Sequence, residues 1–304
     1  MTKITREWVQ AELAKGRMYF ENLDMEYLCL ADLDFTGCTF CDVNLRESNF
    51  TDAKLDYCWF NGCDISCCNF RNASLKSATI EKCTANEVAF NGTNLRNAII
   101  SNMILYRPAL IESTLSSALI QDVQIIDALI LDTSMYFIRI NRCLITADRY
   151  KISRCNFINA GVLFTTFSNA DIWNSNMANA ELLYCKFSVS NIINTNLAGL
   201  VLIHTDLRDL DPTGGGNFEV TANLSDSVII ASNLRDANLQ GADMSNVKMA
   251  SNTIIGAWFG GADFTGADLS RQNFFDDNFD ESTKGIKHPF VGGIVEMEDK
   301  EEGK

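Results

Sequence analysis

Eleven cysteines, two histidines and 39 carboxylates are the residues of this 304-residue chain that could do chemistry. Cys63, Cys67 and Cys68 have a spacing that metal sites use, but a zinc site needs four converging ligands, and no matching set stands nearby. An odd cysteine count without a basic-then-apolar leader points to reduced thiols and a cytoplasmic protein. His204 and His288 stand near no evident nucleophile. Asp and Asn are numerous and scattered, so paired carboxylates arise by chance. The expectation is a protein that is not an enzyme and that binds no cofactor and no metal.

What must position these residues is a repeat. Every fifth residue from Phe20 to Ile145 is hydrophobic, 26 positions in all. The register then slips by two, and Ile152 to Leu207 adds 12 more; a third run from Leu224 to Phe279 adds another 12. Against a background of 47% hydrophobic residues, fifty matches in fifty have a chance probability below ~10⁻¹⁵, and neither a helix nor a strand has this period. Two residues before each large residue stands a small one, Ala, Ser, Thr, Cys or Val at 38 of 50 positions. Eight of the 11 cysteines (Cys38, Cys58, Cys63, Cys68, Cys83, Cys143, Cys155 and Cys185) fall there, where a free thiol acts as a compact hydrophobe. Cys29, Cys41 and Cys67 project outward and are weak candidates for modification. The residue between small and large is often Asp or Asn, which suits backbone hydrogen bonding in turns.

Ala237-Asn238-Leu239, Ala242-Asp243-Met244, Ala262-Asp263-Phe264 and Ala267-Asp268-Leu269 resemble the Ala-(Asp/Asn)-Leu-X-X motif of the pentapeptide-repeat family. The resemblance covers residues 18–281. It implies an all-β fold: a right-handed quadrilateral parallel β-helix, a solenoid of about 12–13 coils with one pentapeptide per side. At the ~4.8 Å strand spacing this makes a rod about 60 Å long. A stack of this kind needs caps. Residues 1–17 read as an N-terminal capping helix, with Thr5 as N-cap, Trp8, Val9 and Leu13 as apolar stripe, and Gly16 as stop. Residues 282–304 read as a C-terminal cap around His288-Pro289-Phe290-Val291, followed by an acidic tail. The second break, residues 208–223, holds Asp211-Pro212-Thr213-Gly214-Gly215-Gly216-Asn217 and reads as a loop that is no phosphate loop.

The net charge of −14 argues against direct nucleic-acid binding, which rests on neutralising phosphates. No apolar run is long enough to span a membrane. The charge is uneven. Residues 201–304 carry 18 acidic and 8 basic groups, whereas residues 101–200 carry 7 of each, with Arg139, Arg142, Arg149, Lys151 and Arg154 around the register slip at 146–151. In the neutral third, outward positions turn apolar: Ile99, Ile104, Ile111, Leu119, Ile126, Leu129, Leu131, Tyr136 and Leu144. With 20 residues per coil, Ile99 lies under Leu119, Ala109 under Leu129 and Ile111 under Leu131. Exposed apolar patches mark association surfaces. The expectation is a non-catalytic protein-interaction scaffold that binds a protein partner, or a second copy as a homodimer, through this band. Some bacterial effectors delivered into host cells contain such domains, so the resemblance also implies that route. The alternative, from the family's DNA-mimicking members, is a topoisomerase (DNA gyrase) inhibitor or protector acting through the acidic C-terminal coils.

Overall fold

The computed structural model describes residues 4–147, 151–188, 192–193, 195–207, 223–275, 278–291 and 294–297. The chain divides into two compact units, Met1–Asn156 and Phe157–Lys304.

In the first unit the helix Arg6–Ala14 opens on Thr5, whose hydroxyl accepts from the Trp8 N–H at 3.3 Å, and Val9 is its buried residue. Gly16 follows at φ +82°, the left-handed stop that the sequence places there. The chain then coils into a four-sided parallel β-solenoid. On the first side Phe20 pairs with Phe40, Phe40 with Phe60, Phe60 with Ile80, Ile80 with Ile100, Ile100 with Ile120 and Ile120 with Ile140. The second side rises through Met25, Leu45, Ile65, Ala85, Leu105, Ile125 and Ile145, the third through Leu30, Phe50, Phe70, Phe90, Leu110, Ile130 and Ile152, all buried. The fourth side carries Phe35, Leu55, Leu75, Leu95, Leu115 and Met135. The slip is visible in the register, since Ile152 pairs with Ile130, a step of 22 residues; residues 148–150 of the slip lie outside the described residues.

The second unit has the same construction. Val162 pairs with Leu182, Leu182 with Leu202, Leu202 with Ile229 and Ile229 with Met249, and the Lys248–Ala250 strand pairs with Asp268–Arg271. The step of 27 between Leu202 and Ile229 shows seven residues inserted; 208–222, nearly all of the expected loop, lie outside the described residues, as do residues 298–304 of the acidic tail. The solenoid has about 11 turns, fewer than the 12–13 expected. Phe259, Phe264, Phe274 and Phe279 cluster at the last coil with ring centroids 4.9–6.3 Å apart. Beyond them Ile286–Val291 and Ile294–Met297 form an antiparallel pair.

Three local features make the five-residue period fold. Large residues stack on their own kind: Phe20, Phe40 and Phe60 lie 5.3 and 4.8 Å apart with near-parallel rings, as do Phe50, Phe70 and Phe90 at 5.0 and 5.4 Å. The Asp or Asn before a large residue accepts the backbone N–H two residues on, as Asn49 does from Thr51 and Asp263 from Thr265. The second residue after the large residue takes a left-handed conformation to close the turn. Gly and Asn suit that position, but Tyr27, Arg107 and Phe137 adopt it too, so stacking overrides their preference.

The cysteines fit this frame, and their role goes beyond a small hydrophobe. All eight at the small position are buried. The Cys58 thiol donates to the Phe35 carbonyl at 3.0 Å and the Cys68 thiol to the Leu45 carbonyl at 2.9 Å, each in the coil below. Ser48 donates to Met25 at 2.6 Å and Thr93 to Phe70 at 2.7 Å from equivalent positions. Ser, Thr and Cys are therefore small donors for a buried carbonyl of the preceding coil.

Candidate interaction surfaces

The outward residues of each strand stand in columns that rise coil by coil. The nine apolar residues singled out in the sequence fall in register as the 20-residue spacing requires, but on different sides. Ile99 and Leu119 pair on the first side. Ile104 and Ile126 stand on the second side, with Tyr106 paired to Ile126 and Leu144 to Gln124. Ala109, Ile111, Leu129 and Leu131 form a square on the third side. Tyr136 sits at a corner beyond the fourth side, edge-on to Phe137 at 4.4 Å. Ile99, Ile104 and Tyr136 are exposed, and the other six are half-buried.

The second- and third-side patches flank one corner, and that corner is charged. Arg107 bridges Glu87 at 2.9 Å and Asp127 at 3.4 Å, and Lys151 reaches Asp127 at 2.6 Å. Two more corners carry bidentate pairs, Arg142 to Asp122 at 2.6 Å and Arg154 to Asp132 at 2.7 Å. Arg142 holds the Asp122 carboxyl down at about 2, and Arg154 lowers that of Asp132. Three of the five residues of the basic cluster are thus neutralised by acids one coil below; Arg149 lies outside the described residues. An open depression of about 220 Å³ beside the third-side patch is lined by Arg71, Asn72, Asn91, Gly92, Ile111 and Glu112.

Two apolar columns escaped the sequence reading. On the first side Tyr19, Thr39, Trp59 and Thr79 continue downward from Ile99. In the second unit Leu163, Leu183, Ile203, Ile230 and Ala250 make one column. At the adjoining corner Phe164, Tyr184 and His204 stack at 5.1 and 4.9 Å. Phe164 is 54% and Tyr184 52% exposed. The signal was available, in runs such as Val162-Leu163-Phe164 and Val228-Ile229-Ile230, where the large residue's outward neighbours are apolar too.

His204 belongs to that stacked corner, whereas eight of the cysteines are buried inside the wall. Burial pushes the thiols of Cys38, Cys155 and Cys185 up to about 11. Cys29 is exposed, Cys41 and Cys67 half-buried. Among the described residues no three His, Cys, Asp or Glu converge as metal ligands do, and no helix is long and apolar enough to cross a membrane. His288 lies in the strand Ile286–Val291, with its side chain outside the described set.

Coils of four pentapeptides, each with a buried large residue and, at most positions, a small inward one, define a parallel β-solenoid repeat protein. The family model for pentapeptide repeats matches in eight copies, over residues 29–66, 63–102 and 222–251, and the chain is a pentapeptide-repeat protein. No curated protein matches it. Solved structures similar to it include HetL, a pentapeptide repeat protein involved in heterocyst differentiation regulation from the cyanobacterium Nostoc sp. strain PCC 7120. It is 17% identical with a TM-score of 0.34, over 88% of this chain and 96% of that one. QnrB1, a plasmid-mediated fluoroquinolone resistance protein, is 14% identical with a TM-score of 0.19, over 88% of this chain and 92% of that one.

Proposed function

We propose that the protein is a non-catalytic scaffold that binds a protein partner through the apolar patches astride the corner between its second and third sides. The observation that carries this reading is the pairing of Ala109 with Leu129 and Ile111 with Leu131 at outward positions, where a solvated solenoid wall places polar residues. Ile104, Ile126 and Leu144 extend the surface around the corner. Ile99, Leu119 and Tyr136 lie on other sides and would contribute only to a partner that wraps the coil. The Glu87–Arg107–Asp127–Lys151 ladder between the patches gives the surface a polar line that fixes orientation, as charges within interfaces do. Replacing Ile111, Leu129 and Leu131 together by Asp tests the reading. Partner recovered by the wild-type protein in a pull-down is expected to be lost, with far-UV circular dichroism unchanged; undiminished recovery overturns it.

The net charge of −10 over residues 201–304 supports a second reading, a DNA-mimicking inhibitor or protector of DNA gyrase acting through the acidic C-terminal coils. A supercoiling assay with and without a quinolone decides it: no effect at about micromolar protein, a concentration at which specific complexes of ordinary affinity form, retires this reading.

A further inference from the structure

The apolar side of the second unit has a pattern that matches itself when reversed. One outward column reads Gly161, Glu181, Val201, Val228, Lys248 and Asp268 from bottom to top, the other Leu163, Leu183, Ile203, Ile230, Ala250 and Arg271. The adjoining corner reads Tyr184, His204, Ala231 and Ser251. Consider a two-fold axis lying in this face, parallel to the strands and between the Leu202 and Ile229 levels. It turns a second copy upside down and sets each column against the same column with its levels reversed.

Glu181 then faces Lys248 of the other copy, and Lys248 faces Glu181. Val201 meets Val228 and Ile203 meets Ile230. Size is complementary as well: Leu183 opposes Ala250, Tyr184 opposes Ser251 and His204 opposes Ala231. Large residues of the lower coils therefore face small residues of the upper coils, on both sides of the axis. Over the four central levels the acid Glu181 meets the base Lys248 and bulk meets gaps about a single level, while at the two ends Gly161 meets Asp268 and Leu163 meets Arg271.

We infer that this side is a self-association surface, on which a second copy of the chain packs antiparallel, sheet against sheet, about that axis. An isologous contact of this kind places each surface residue twice, and stacked sheets pack about 10 Å apart. Both copies share one rise per coil, so the columns stay in step across the four central levels. The inference uses a surface separate from the patches proposed above for a partner and stands without them. Four steps of ~4.8 Å by about 13 Å of strand make a footprint of roughly 250 Å² per copy. A standard interface buries about 800 Å² per partner, so the dimer is weak.

Sedimentation equilibrium of the full chain from about 5 to 500 μM, a range suited to weak association, tests the inference. The wild-type protein is expected to pass from monomer to dimer. Glu181→Lys and Lys248→Glu, each checked for fold by circular dichroism, are expected to weaken the dimer about tenfold, because each creates two like-charged pairs. The double reversal is expected to restore it to within about threefold of wild type, since both pairs are opposite in sign again. Ile111/Leu129/Leu131→Asp is expected to leave the dimer unchanged. A wild-type protein monomeric throughout, a double variant no better than the single ones, or a dimer abolished by the triple variant overturns the inference.

Discussion

Phe70→Ala is the sharpest probe of how the solenoid is held together. Phe70 is fully buried on the third side, with Phe50 below at 5.0 Å and Phe90 above at 5.4 Å, both near-parallel, and Phe60 edge-on at 6.3 Å. Truncating a buried Phe costs about 3–5 kcal/mol, a transfer cost plus the cavity left behind. Two lost stacking contacts at about 0.5–1.5 kcal/mol each place this site toward the upper end. Neighbouring coils contact only one another, so the damage stays local. Urea denaturation followed by circular dichroism gives the loss in stability, and hydrogen exchange gives its place: reduced protection within residues 50–90. Tyr57→Ala is the control, since Tyr57 is 67% exposed at a corner and surface truncations stay within about 0.5 kcal/mol. A cost below about 1 kcal/mol for Phe70→Ala, or an equal cost for Tyr57→Ala, would refute the idea that the axial stack carries the stability.

Three further predictions concern the wall and its corners. Cys68→Ser keeps the donor to the Leu45 carbonyl and should cost less than Cys68→Ala, which leaves that carbonyl unpaired at about 1–3 kcal/mol; urea midpoints of the two variants decide. Gly62 stands at φ +68°, a conformation that L side chains rarely adopt, so Gly62→Ala should destabilise by about 1–2 kcal/mol in the same assay. Arg142 depresses the Asp122 carboxyl to about 2, so the stabilisation is fully present above the ordinary carboxylate range and is lost as pH falls through about 2. The gap in urea midpoint between wild type and Arg142→Met should be constant above about pH 5 and shrink below about pH 4; a gap that widens in acid contradicts the assignment.

Much of this was legible in the sequence, for a physical reason. A solenoid writes its period directly into the chain, because every coil solves the same packing problem with the same spacing. The 26 large residues from Phe20 to Ile145, the slip before Ile152 and the interruption after Leu207 all appear as steps in the strand registers. Columns such as Ile111 and Leu131 followed from the same period. Nearness in sequence misled where it was taken for nearness in space. Ile99, Ile111 and Tyr136 stand on three sides, because every fifth residue turns a corner. The charge of the slip also read wrongly in isolation, since Arg142 and Arg154 find Asp122 and Asp132 one coil below. The seven-residue insertion between Ile203 and Ile230 hid only the upper part of the second-unit face, since Leu163, Leu183 and Ile203 keep the 20-residue spacing. The donor role of the cysteines depends on a carbonyl 23 residues earlier, which composition alone does not reveal.

The claim at the centre of the account is that the apolar third-side patch meets a protein partner. A photo-crosslinking amino acid at Leu131, compared with one at Lys54 on the fourth side, tests it most directly in cells that make the protein. A discrete heavier adduct is expected from position 131 and none from 54. Equal labelling from both positions, or adducts from 54 alone, would contradict it.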